Sequence, residues 1–500
     1  MTTTLRADVV PVERRSSERT LLEQAFNRAA GSPLVGGNSI RLLRNASENY
    51  PAWLEAIAAA ERTIHFETYI IWDDDAGKTF VDALSEKARA GVRVRLIYDW
   101  LGAIGKTRRS FWDPLTRAGA EVRCFNPPRL AHPLGWLHRD HRKALIVDGR
   151  VAFVSGLCVG QQWVGDTRKG TEPWRDTGVD LRGPAVDMIE QAFSRAWSVA
   201  GPSDLSEDPS PDSKSVGTVA VRVVASEPWS TRMLRLDVLM AGAARERLWL
   251  TDAYFAGTPE YVQALRAAAA DGVDVRLLVP GSSDIPLLRP ISRAGYRPLL
   301  ECGVRVYEWR GSMLHAKTAV VDDHWARVGS SNLNIASWIG NWELDVAVDD
   351  RTFGAAMAAM YLVDLGNATE IVLSESRIVD RRTAARPSRP ALRGGVGSAG
   401  RLAAGALRLG NTASAMITER RVLGLADARA AAMTGVGFLV FAVIAFLWPT
   451  VVAIPLGVLI VWLGIAMVAK AHSLRKQREE AGKAPLRVVE AESGDQSSAA

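Results

Sequence analysis

The sequence predicts an α/β protein built twice over, its two repeats sharing one site at their interface, followed by a C-terminal transmembrane helical hairpin. Three observations carry that prediction. An apolar strand, an Ala-rich helical stretch and a second strand introduced by a glycine turn recur in the same order on either side of a linker. One His/Lys/Asp pattern occurs once in each copy. Residues 430–469 form a run of 40 without a single charge.

The chain has 500 residues, of which 48% are hydrophobic and 23% charged. That length exceeds one ordinary core, and that composition excludes a disordered or collagenous chain and a single small binding module. Residues 1–34 are an N-terminal extension with charges where a secretory signal would be apolar, so the N-terminus is expected to stay in the cytosol. Cys124, Cys158 and Cys302 have neither CxxC spacing nor the number for a disulfide framework, which fits a reducing compartment.

The first repeat is expected over 35–200 and the second over 219–372. Between them, 201–218 cluster Pro, Ser and Asp without apolar periodicity and read as a linker. The first strands of the copies are expected at Thr63 to Trp72 and Arg247 to Phe255. The second strands match closely: AGVRVRLI at 90–97 stands beside DGVDVRLL at 271–278.

Each copy then delivers HxKxxxxD, as His141, Lys143 and Asp148 and again as His315, Lys317 and Asp322. Seven His and ten Lys in the chain make two matches in repeat register hard to attribute to composition. Arginine outnumbers lysine about five to one, yet both motifs use Lys, as suits a compact ammonium beside a small anion. His and Lys two apart on an extended chain point the same way, so each half presents an imidazole with an ammonium. Asp148 and Asp322, at an odd offset, belong at hairpin corners and are read either as turn residues or as catalytic ones. Two His-Lys pairs facing each other complete a site for phosphoryl displacement: one imidazole attacks phosphorus, the other protonates the leaving alkoxide, and the lysines hold the nonbridging oxygens. This scheme calls for no metal and no cofactor.

Residues 373–429 form a basic segment, with eleven arginines against three acids between Ser376 and Ala430. It reads either as an amphipathic helix on a headgroup surface or as a flexible tether, and it marks the basic patch as local rather than as a nucleic-acid groove. The run 430–469 would make one helix of about 60 Å, twice the hydrocarbon thickness. Trp448, Pro449 and Thr450 near its middle split it into two spans, about 431–448 and 451–469. Arg420, Arg421 and Arg429 before it, and Lys470, Arg475, Lys476 and Arg478 after it, place both ends in the cytoplasm. Residues 470–500 are then a cytoplasmic tail.

On these motifs the sequence resembles the phospholipase D superfamily, and within it the bacterial cardiolipin synthases, over roughly 35–372. Gly329-Ser330-Ser331-Asn332 stands where that family has GSxN, which implies phosphate contacts from Ser330 and Asn332. The first copy has Ser155-Gly156-Leu157-Cys158, with Cys in place of the Asn, so the half-sites are expected to be unequal. The resemblance further implies a carboxylate orienting each histidine, for which Asp176 and Glu343 are the candidates. It implies transfer of a phosphatidyl group through a phosphohistidine, with phosphatidylglycerol and cardiolipin as lipid partners, no nucleic acid, and residence at the bacterial inner membrane with the catalytic domains on the cytoplasmic side. His141 is expected to be the nucleophile and His315 the acid. A hydrolase that gives the intermediate to water, a nucleic-acid phosphodiesterase and a non-catalytic membrane scaffold are the competing readings. Trp136, Trp163, Trp174, Trp309, Trp338 and Trp342 crowd the motif segments and are read as core ahead of lipid contacts.

Overall fold

A computed structural model describes residues 22–372 apart from 129–136, 167, 169, 203–213 and 286–287, together with the isolated positions 447, 461 and 462. Residues 1–21 of the N-terminal extension, the predicted basic segment and tail, the hairpin but for those three positions, most of the linker, and Trp136 therefore lie outside the described residues. Among the described residues no helix is long and apolar enough to cross a membrane.

The first half contributes β1 (Val35–Arg44), β2 (Thr63–Thr68), β3 (Arg93–Asp99), β4 (Glu121–Phe125), β5 (Ala144–Val147), β6 (Val151–Ser155) and β7 (Thr177–Arg182). The second contributes β8 (Val219–Ser226), β9 (Arg247–Thr251), β10 (Asp274–Pro280), β11 (Arg305–Trp309), β12 (Thr318–Val321), β13 (Trp325–Gly329), β14 (Glu343–Asp349) and β15 (Ala368–Ile371). Neighbouring strands run β4-β3-β2-β5-β6-β7-β1 in one half and β11-β10-β9-β12-β13-β14-β8 in the other, and β15 extends the second edge. The repeat seen in the sequence is thus a repeat of topology. Each half has a parallel trio linked by helical crossovers and an antiparallel set linked by hairpins. β1 joins the halves, pairing with β7 through Ser39–Arg44 and with β8 around Val35 and Asn38.

Strand ends fix where the chemistry emerges. Glu67 of β2 faces Ala144 of β5, Ala144 faces Val154 of β6, and Ser155 faces Gly178 of β7. The carboxyl ends of β2, β3, β4 and β6 and the amino ends of β5 and β7 therefore share one margin, which holds His141 and Asp176. In the second half Thr251 faces Thr318, Thr318 faces Val328 and Gly329 faces Asp345, so the equivalent margin holds His315 and Glu343.

Both first strands stop short of the expected ends, at Thr68 and Thr251. Their antiparallel partners β5 and β12 begin only at Ala144 and Thr318, so the next residues lose that ladder and turn toward the site. Helix Asp75–Arg89 starts where Asp74 accepts the amide of Gly77, and helix Arg351–Gly366 where Asp350 accepts that of Phe353. Helix Ala185–Ala200 buries Ala185, Ile189, Phe193 and Trp197 in a central core that mixes strand residues of both halves, among them Ile146, Val179, Val223 and Val346. Two outer cores, one per half, lie on the far sides.

Candidate active site

Both motifs sit on short extended segments just before β5 and β12, and each segment pairs with the opposite half. The His141 amide donates to the Trp342 carbonyl at 2.9 Å, and the Trp342 amide returns to Arg139 at 2.8 Å. In mirror fashion the Arg175 amide donates to Met313 at 2.9 Å and the His315 amide to Arg175 at 2.7 Å. Each histidine segment is thus bonded to the segment carrying a carboxylate of the other repeat.

The side chains cross in the same way. His141 Nδ1 donates to Glu343 at 2.9 and 3.0 Å, and His315 Nδ1 donates to Asp176 at 2.7 Å. With Nδ1–H committed to a carboxylate, the neutral imidazole carries its lone pair on Nε2, the tautomer a nucleophile requires. Glu343, fully buried, also accepts from Ser330 Oγ at 2.5 Å and Asn341 Nδ2 at 3.1 Å. Asp176, equally buried, accepts from Trp163 Nε1 at 3.0 Å and the Thr177 amide at 2.9 Å. The Ser330 position in the first half is Gly156, where a Cβ would lie 2.2 Å from Asp176 Oδ1. Serine there would displace the carboxylate that aims His315, so the two supports are built differently.

Lys143 and Lys317 are buried, and each donates its ammonium to the carbonyl of its own motif histidine. Tyr69 and Tyr254, just past the ends of β2 and β9, set their ring centroids 5.1 and 5.9 Å from His141 and His315. The lysine ammonium groups lie 5.3 and 5.8 Å from the same two rings.

Burial drives the titration of the cluster. It lowers His141, opposed by Glu343 and reinforced by Lys143 and Lys317, and it lowers His315 to about 4, reinforced by Lys317. Burial also lowers Lys317 to about 8. For Asp176 and Glu343 burial alone would raise the carboxyls, but the facing imidazoles and nearby lysines outweigh it and hold both below their ordinary values. Lysines of each half act on the histidine of the other, so two ammonium groups and two imidazoles share one neighbourhood that an anion would relieve.

Not every expected residue arrives here. Asp148 and Asp322 sit at the far ends of β5 and β12, as central residues of turns with φ of 54° and 49°. Asp148 accepts the amides of Glu61, Arg62 and Thr63 at 2.7–2.9 Å, and Asp322 those of Arg245, Glu246 and Arg247 at 2.8–2.9 Å. They pin the entry of β2 and β9, and of the two readings open in the sequence the geometry supports the turn. Ser330 serves Glu343. Asn332 is buried, receives no partner at Oδ1 among the described residues, and has Cys158 as its counterpart in the first half.

Sequence reasoning missed Arg142. Fully buried, it donates Nε to the Glu343 carbonyl at 3.2 Å, Nη1 to Ala192 at 2.8 Å and Nη2 to Ser226 at 3.0 Å, with Glu67 at 3.7 Å. The available signal was that the second motif has Ala316 at this place. Among the described residues no group of three His, Cys, Asp or Glu is arranged to hold a metal ion.

Known proteins share this arrangement. The family profile described as "Cardiolipin synthase, PLD-like domain" matches residues 53–163 and 239–362, one segment in each half. A cardiolipin synthase of Alkalihalophilus pseudofirmus is 32% identical over 373 residues, covering 73% of either chain. The chain belongs to the cardiolipin synthase family of phospholipase D-like proteins. A second member, cardiolipin synthase 1 of Bacillus anthracis, is 34% identical over 347 residues, covering 67% of either chain. The fold also resembles a phosphatidylserine synthase of Haemophilus influenzae, at a TM-score of 0.54 and 14% identity, over 70% of this chain and 92% of that one. The two matched segments contain the whole of the His141–Glu343 pair, whereas Asp176, the partner of His315, falls between them.

Proposed function

We propose that the protein is a membrane-associated phosphatidyltransferase that moves the phosphatidyl group of phosphatidylglycerol to an alcohol, with a second phosphatidylglycerol as the acceptor that yields cardiolipin and glycerol. The observation that carries this reading is the reciprocal pairing of His141 with Glu343 and His315 with Asp176, which aims two neutral imidazoles from two halves into one cationic neighbourhood. Nε2 of His141 attacks the donor phosphorus and the glycerol alkoxide leaves, taking a proton from His315. His315 then removes the proton of the acceptor hydroxyl, which attacks phosphorus and restores His141. Lys143 and Lys317 hold the nonbridging oxygens, and the bound anion raises the two imidazole pKa values enough for one ring to carry the required proton.

One observation favours the reversed assignment: burial lowers His315 to about 4, which holds it in the neutral form a nucleophile needs. Rapid quenching with labelled phosphatidylglycerol identifies the phosphorylated residue. A phosphohistidine at 141 that persists in His315→Ala supports the first assignment, and one at 315 in His141→Ala the second. Lipid mass spectrometry after incubation with phosphatidylglycerol tests the reaction. Cardiolipin is expected, whereas phosphatidic acid alone means a hydrolase.

The repeat boundaries at 35–200 and 219–372 follow the helix that ends at Ala200 and the strand that starts at Val219. The uncharged run at 430–469, flanked by arginines and lysines, supports a hairpin anchor with both ends and the catalytic repeats on the cytoplasmic face of a bacterial inner membrane.

A further inference from the structure

Exposed large apolar side chains are not spread evenly over the two repeats. Six of them lie on loops that leave the two site margins: Leu101 and Ile104 after β3, Leu137 before the first motif, Trp229 after β8, Ile285 after β10, and Ile335 after Asn332. Trp229 is 73% exposed and Ile335 60%. The turns 90–92, 148–150, 244–246, 271–273 and 322–324 at the opposite margins contain none of the exposed large apolar side chains, and the strand ends of that side have only Val216, leading into β8, and Val372, after β15, among the described residues. A folded surface that concentrates such side chains on one side marks a contact with another phase or partner.

Charge says which. The loop 100–112 carries Lys106, Arg108 and Arg109, all exposed, and no acid. In that loop the apolar tips Leu101 and Ile104 with their flanking cations match an anionic bilayer, where the side chains enter the acyl boundary and the cations meet lipid phosphates.

We infer that these site-margin loops form a second membrane contact, separate from the predicted hairpin, which seats the mouth of the active site on an anionic lipid surface. The inference rests on the phosphatidyltransferase reading, because a diacyl substrate must pass from the bilayer to buried imidazoles without its chains crossing water. The hairpin fixes the protein to the membrane; the loops fix which face looks at it.

The test uses the full chain bound to vesicles. In a Cys124→Ser, Cys302→Ser background, an environment-sensitive fluorophore is attached to Ile104→Cys, Ile335→Cys and, as the opposite-margin control, Glu246→Cys. Blue-shifted emission and quenching by doxyl-labelled lipid are expected at 104 and 335 on phosphatidylglycerol vesicles, weaker on phosphatidylcholine vesicles, and absent at 246. Water-like emission at both 104 and 335 on vesicle-bound protein would overturn the inference. Kinetics give a separate reading: the double variant Ile104→Asp, Ile335→Asp should lose about tenfold in turnover on vesicles and stay within twofold of wild type on monomeric short-chain phosphatidylglycerol. Equal loss on both substrates would mean a damaged site and count against docking. If the unaltered protein turns over neither substrate, the phosphatidyltransferase reading fails, while the quenching data still decide the docking.

Discussion

Asp148 and Asp322 each accept three backbone amides at the start of a neighbouring strand, while their motif partners Lys143 and Lys317 lie at the other end of β5 and β12. Asp148→Ala should therefore cost about 1–3 kcal/mol in chemical denaturation by leaving those amides without acceptors, and should keep kcat within a few-fold of wild type. A kcat loss as large as that of His141→Ala would assign it a catalytic role instead. Glu343→Gln removes the charge that supports His141, and a kcat loss of about 10²–10⁴ with little change in KM is expected, by analogy with the loss of a histidine-orienting carboxylate elsewhere. Lys317, lowered to about 8 by burial, predicts an alkaline limb in kcat/KM near pH 8. In Lys317→Arg that limb should move beyond the measurable range at a lower plateau. Both histidines and both lysines were legible in the sequence because duplication made them improbable by chance. Asp176 and Glu343 were reachable only through the family resemblance, since a carboxylate 35 or 28 residues beyond its own motif carries no local pattern.

At the level of elements, the strand order follows from what the sequence repeats, and its exceptions follow from what it does not. Strands β2 and β9 end early because pairing partners, not apolar character, set strand length. β15 has no counterpart in the first half, and the crossing of each carboxylate to the other half depends on how the repeats dock, which no window of sequence encodes. Arg142 illustrates the cost of such docking. It ties the Glu343 segment to helix Ala185–Ala200 and β8 from inside the protein, and Arg142→Ala should destabilise the fold by about 3–5 kcal/mol because Glu67 would be left as a buried charge without its partner. Arg142→Lys, measured by the same denaturation curves, should recover part of that loss.

The whole molecule carries a pH dependence set by its buried centre. His315 titrates at about 4 when folded against an ordinary 6.5, so on acidification the unfolded chain takes up its proton first. Stability from this group is therefore lost between pH 6.5 and 4, and it is lost further as Asp176 and Glu343, held low in the folded state, become protonated. Calorimetric Tm should fall over that interval, and the fall should be shallower in His315→Gln.

Reciprocal support also constrains ancestry. Because each imidazole leans on an acid encoded in the other copy, neither copy can drift at that acid without disabling its twin, and a lone copy could work only by finding a second one. Fusion of the copies into one polypeptide makes that meeting unimolecular and lets the two partners diverge into separate duties, as the Ser330 and Gly156 supports already have.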